Sequence, residues 1–192
     1  MLFQLTPAAM PDGYGEAVLS VDACKAHLGI TPDVIEFDDL IAALRDASID
    51  MVEKYTNLFL GPRADVIATF SAFCTPMRLG RGPEATVSVT GVSYIGSDNA
   101  AVALETGDWR IDAIGGVVPA INARWPASYG PVTVTFDAGF PADECPPTLL
   151  AAAKMFLAHL FTNREAVVTS GASGELPLGF RMLCNLHRMP II

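Results

Sequence analysis

Three histidines, four cysteines and one pair of adjacent aspartates are the residues whose types could do chemistry in this chain. His27, His159 and His187 fall on separate expected elements. None falls in a zinc-binding motif, so no zinc site is expected. His159 sits in an apolar helical stretch and reads as a core or interface histidine. Cys24, Cys74, Cys145 and Cys184 are far apart, with no C-x-x-C pair, and read as reduced, mostly buried thiols. Asp38 and Asp39 read as charges at a helix N-terminus on a solvated face rather than as an acid–base pair. "SGASGE" (170–175) misses G-x-S-x-G because Glu175 stands where the last glycine belongs, and it follows a helix rather than a strand. No Walker-type loop and no G-x-G-x-x-G occurs. No catalytic residue, metal ligand or cofactor is therefore expected.

Charge narrows the partners. The chain has 192 residues and a net charge of −9. Residues 1–60 carry ten acidic and three basic residues, 61–145 nine and five, and 146–192 two and four. An acidic body with no basic patch is a poor grip for nucleic acid, although it could surround DNA without adhering to it. "MLFQLTPAAMPDGYGEAV" lacks a basic n-region and is broken by Pro7 and Pro11, so a cytoplasmic origin is expected. The longest apolar-rich stretch, 149–161, falls short of the roughly 20 residues that cross a bilayer.

The elements that must position these residues follow from period and punctuation. Ser20 is a suitable N-cap for "VDACKAHL", and Gly29 a suitable stop. In "EFDDLIAALRDASIDMVEKYTNLFLG", apolar residues from Phe37 to Phe59 recur at three- and four-residue spacing. This predicts a long amphipathic helix closed by Gly61-Pro62, with Asp38, Asp39, Arg45, Asp46, Asp50, Glu53 and Lys54 on its wet face. "DVIATFSAF", "TVSVTGVSYI", "AVALETGDWRID" and "GPVTVTFDAGF" read as strands, with a hairpin turn at Thr106-Gly107-Asp108. After Pro146-Pro147, "TLLAAAKMFLAHLFTNREAVV" is apolar nearly all round and predicts a helix buried on several sides. The expected fold is α+β: a small helical bundle with an inserted antiparallel β-rich unit and a C-terminal extension. The expected organisation is 1–62 for the N-terminal segment and first helices, 63–145 for the insertion, 146–169 for the central helix, and 170–192 for linker and tail.

Taken together, these pieces resemble the head–tail connector (adaptor) proteins of long-tailed bacteriophages and the related proteins of gene transfer agents. The resemblance lies in the short helix of Leu19 to Leu28 before an acidic helix ending Glu53-Lys54-Tyr55-Thr56. It continues in "RWPASYGPVTVTFDAGF" followed by "CPPTLLAAAKMFLAHLFTNREAVV", and in the terminal "LPLGFRMLCNLHR". It implies a non-enzymatic part of the particle neck, assembled in the host cytoplasm. Such adaptors form a ring of about twelve copies on the portal protein, extend the DNA channel, and seat a stopper, head-closure or tail-terminator protein, with no membrane and no specific hold on DNA.

The tail then reads as a portal-docking segment hinged at "SGASGE". Its candidate interface residues are Leu176, Leu178, Phe180, Arg181, Met182, Leu183, Leu186, His187, Arg188, Met189, Ile191 and Ile192. Phe180, Leu183 and Leu186-His187 are expected on one face, as in helix-in-groove recognition. The alternative is that this segment folds back as a last core helix of its own bundle. Two readings from other classes stand beside the adaptor: a non-catalytic bacterial scaffold protein and a small-molecule-binding α+β domain.

Overall fold

The computed structural model describes residues 3–6, 10–79, 88–113, 115–163 and 178–188. The fold is α+β, as the switch of period implies. The chain divides into two compact units.

The helical unit spans Asp12–Gly61 and Phe140–Pro190. Helix α1 (Tyr14–Val18) leads into α2 (Val21–Leu28), where the Ser20 hydroxyl accepts the Ala23 N–H at 3.2 Å and Gly29 closes the helix at φ 72°. Helix α3 covers Asp38–Thr56, shorter at both ends than its periodicity predicts. Asn57, in the left-handed region at φ 60°, stops it before Gly61, and Leu58, Phe59 and Leu60 follow as buried non-helical chain. Helix α4 is Pro147–Thr162, with Pro147 at its start. The part of the predicted helix beyond Asn163 lies outside the described residues, as does the "SGASGE" linker. Helix α5 is Leu178–Asn185. Ile41, Ile49 and Val52 of α3, Leu149, Ala152, Ala153 and Leu157 of α4, and Cys24 of α2 are fully buried and form the core. The alanines of α4 leave room for neighbouring helices to approach closely.

Three side chains expected on the wet face of α3 are instead tied into the unit. Asp38 makes an ion pair with Lys25 at 2.5 Å, and that lysine is only 2% exposed. The Lys25 ammonium also donates to the Pro32 carbonyl at 3.2 Å. Arg45 is buried and bridges Glu16 and Asp46. Glu53 is buried, and its carboxylate accepts the Tyr14 hydroxyl at 2.5 Å and the Leu60 N–H at 2.9 Å. The Tyr14 oxygen in turn accepts the Gly61 N–H at 2.8 Å. The buried charges, Lys25, Arg45 and Glu53, each have a partner, which is the condition for taking a charge out of water.

The β-rich unit contains the described residues of Met1–Pro11 and Pro62–Gly139. One sheet runs β1 (Phe3–Thr6), β2 (Arg63–Phe70), β8 (Val132–Ala138), β4 (Ser88–Ile95), β5 (Ala101–Ala103), all antiparallel. In β8, Val132, Val134, Phe136 and Ala138 alternate inward, and Val66, Ala68 and Phe70 of β2 do the same. A register shift between Arg63 and Val66 places Asp65 at φ 53°, with its N–H donating to the Asp137 carboxylate at 3.0 Å. A second sheet runs β3 (Met77–Arg78), β7 (Gly116–Pro119), β6 (Trp109–Ile111). The turn expected at Thr106-Gly107-Asp108 is present, since the Asp108 N–H reaches the Glu105 carbonyl at 2.9 Å. It does not make a hairpin. β5 pairs with β4 and β6 with β7, so the turn carries the chain from one sheet to the other.

Candidate assembly surfaces

The groups that could do chemistry are not brought together. Among the described residues, no three of His, Cys, Asp and Glu stand close enough to hold a metal ion. The His187 ring shares a hydrogen bond with the Thr148 hydroxyl at 2.6 Å, whereas His159 lies against Phe156 and Asn163 near the other end of α4. His27 is exposed on α2. All four cysteines are free thiols. Burial pushes Cys24 and Cys184 up to about 11 and Cys145 to about 12, and raises Cys74 as well. Thiols so held are almost entirely protonated near neutrality and are poor nucleophiles. Asp38, one of the adjacent aspartates, is committed to Lys25, and Asp39 is exposed.

What the fold displays is surface, first of all on α5. This helix packs on α3 and α4 through Phe180 and Cys184, both fully buried. The Phe180 ring meets Tyr55 edge-on at 5.6 Å and Phe156 at 5.4 Å. Gly179 lies against Met155, where a Cβ would sit 2.5 Å from the methionine methyl. Beyond the helix, the Arg188 guanidinium stands 5.5 Å from the centre of the Tyr55 ring, whose hydroxyl donates to Asn185 at 3.2 Å.

The tail residues therefore divide by face in a way their spacing does not reveal. Phe180 and Leu186 were expected together, but Phe180 points into the bundle and Leu186 is 71% exposed. The outward stripe is Leu178, Met182 and Leu186, at 77, 71 and 71% exposure and four residues apart. Arg181 and Arg188 are exposed beside it, and Leu183 and His187 are half-buried. Leu176, Met189, Ile191 and Ile192 lie outside the described residues.

A second group of exposed apolar side chains lies in loops. Ile35 (70%) and Phe37 (38%) stand in the α2–α3 connection, and Ile121 (79%) and Tyr129 (71%) in the β7–β8 connection. Asp33, Glu36 and Asp39 are exposed around Ile35. The Thr31 hydroxyl holds Asp33 below its usual carboxylate range, so it stays charged. Neither loop surface stands out in sequence, because a single isoleucine among turn residues carries no period. No helix among the described residues is long and apolar enough to cross a membrane.

No protein-family model matches this chain, and no curated protein matches it. Solved structures do share its fold. A chain in the neck of an empty gene transfer agent particle, computed with six-fold symmetry, is similar with a TM-score of 0.69 at 21% identity. A chain in the virion of a native gene transfer agent particle gives 0.68 at 21%. A chain in the neck of a native particle, computed with twelve-fold symmetry, gives 0.65 at 19%. Each likeness covers 100% of this chain and 97% of the other. At this identity the likeness is one of fold, and it embraces both units.

Proposed function

We propose that this chain is a structural, non-enzymatic component of the neck of a phage or gene transfer agent particle: the adaptor that sits on the portal ring. The observation that carries the reading is the end-to-end fold likeness to chains from such particles. A likeness of one common unit would be weak support, because widely used folds serve many functions. Here two dissimilar units recur together in one order. About twelve copies form the ring, extend the DNA channel, and seat a stopper or tail-terminator protein on the far side. The acidic composition suits a wall that DNA must pass without being held. The C-terminal segment provides the portal contact. In the folded chain its available anchors are Leu178, Met182 and Leu186, flanked by Arg181 and Arg188. Each apolar anchor contributes roughly 1.5–3 kcal/mol when fully buried, and repetition round a ring multiplies the hold.

Deletion of this chain from the cells that make the particle tests the reading. The expected result is DNA-filled heads without tails, restored by the full chain supplied in trans. Normal tailed particles in its absence would refute the proposal.

A further inference from the structure

The β7–β8 loop, residues 120–131, is tied to the rest of its unit at both ends and in its middle. The Ala120 N–H donates to the Asp108 carbonyl at 2.9 Å, and the Tyr129 N–H to the Ile95 carbonyl at 2.9 Å. Between them, Trp125 stacks on Phe73 with centroids 4.8 Å apart and planes 13° from parallel. Its indole N–H donates to the Cys74 carbonyl at 3.0 Å and the Thr75 hydroxyl at 2.9 Å. Ile121, Arg124 and Tyr129 project from this pinned backbone and are all exposed. Arg124 is the only charged residue from 113 to 136. The nearby Asp108 carboxylate is used within its own turn, accepting the Glu105 N–H at 3.1 Å. Arginine and tyrosine held by ordered backbone are what binding hot spots use, because little freedom remains to be lost on docking.

The α2–α3 connection is its chemical complement. Ile35 is exposed, with Asp33, Glu36 and Asp39 exposed around it. From 25 to 53 the only lysine and arginine are Lys25 and Arg45, both buried and paired, and Lys25 also favours the charged form of Asp33; His27 is exposed. No exposed lysine or arginine therefore neutralises this patch from its own stretch of chain.

We propose that the β7–β8 loop of one copy docks on the α2–α3 loop of the next. Ile121 and Tyr129 cover Ile35, and Arg124 lies against Asp33 and Glu36. The two surfaces differ, so the contact is head-to-tail and propagates from copy to copy, closing into a ring where the rotation allows. A few residues on each side bury far less than the roughly 800 Å² per partner of a stable pair. The contact is thus weak between two free copies and effective when a portal gathers them. The proposal rests on the ring reading only for closure.

The test places cysteines at Ile35→Cys and Tyr129→Cys in the full chain and oxidises particles assembled from it. The double variant is expected to give a covalent ladder extending beyond dimer. Each single variant should give no more than the parent, and a mixture of the two should give dimer only. Adding Arg124→Glu to the double variant should reduce cross-linking at least tenfold, and the charge swap Arg124→Glu with Glu36→Lys should restore it. A visible ring without a ladder, a ladder indifferent to Arg124→Glu, or cross-links to a different protein would each overturn this contact and leave the ring reading standing. Particles without any ring of this chain would overturn both.

Discussion

Replacing Phe180 by alanine separates a packed α5 from a loose tail. The ring is fully buried and touches Tyr55 and Phe156, at 5.6 and 5.4 Å between centroids. Truncating such a phenylalanine costs about 3–5 kcal/mol, from lost transfer free energy plus the cavity left between α3 and α4. The two ring contacts account for about 0.5–1.5 kcal/mol each within that figure. If the whole chain must unfold to release α5, the full loss appears as a lower urea midpoint and a melting temperature reduced by roughly 6–20 °C. If α5 undocks by itself, the loss saturates at the docking free energy of that one short helix, and the α5 amides exchange with solvent well before those of α4. Urea titration followed by circular dichroism, with hydrogen exchange on the same samples, reads both cases. Met182→Ala on the outward stripe is the control and should change stability by less than about 0.5 kcal/mol. A Phe180→Ala chain as stable as the parent, with unchanged α5 exchange, would refute the packing described for this helix.

Other expectations follow from the buried charges and thiols. Asp38→Asn leaves the Lys25 ammonium buried beside a neutral partner and should cost about 2–4 kcal/mol by denaturant titration, whereas Lys25→Met, which removes the buried charge, should cost less. Glu53→Leu removes the acceptor of two buried hydrogen bonds, from the Tyr14 hydroxyl and the Leu60 N–H, and should lower stability by about 1–3 kcal/mol. Burial raises Cys24, Cys145 and Cys184 from 9.0 to about 11 or 12, so their contribution is intact below pH 9 and is lost as pH rises through 11 to 12. Stability should therefore decline above pH 9, and the decline should shrink when these cysteines are replaced by alanine. At pH 8 a thiol reagent should label the native chain far more slowly than the unfolded chain.

The legible part of this molecule was the local part. Ser20 and Gly29 delimit α2 because cap chemistry is written in adjacent residues, and β8 shows its inward face because Val132, Val134 and Phe136 alternate strictly. Arg45 and Glu53 were read as solvated because period alone assigns charges to the wet side. Their burial is set by Glu16 and Tyr14, 29 and 39 residues away in the chain. The hairpin expected at Thr106-Gly107-Asp108 failed for a similar reason, since a turn does not specify which strand its arms pair with. β3 and β7 are two and four residues long and include Gly116 and Pro119, so they carry too little pattern to be seen. On the tail, the apolar spacing did predict a helix. It did not show which of two apolar faces the bundle would take, and Phe180 went inward while Leu186 stayed out.

Cryo-electron microscopy of the neck of particles from cells that make this chain tests the central claim most directly. The account predicts a closed ring of about twelve copies next to the portal, with density for both the helical and the β-rich unit in every copy. Particles with a complete neck from which this fold is absent would contradict it.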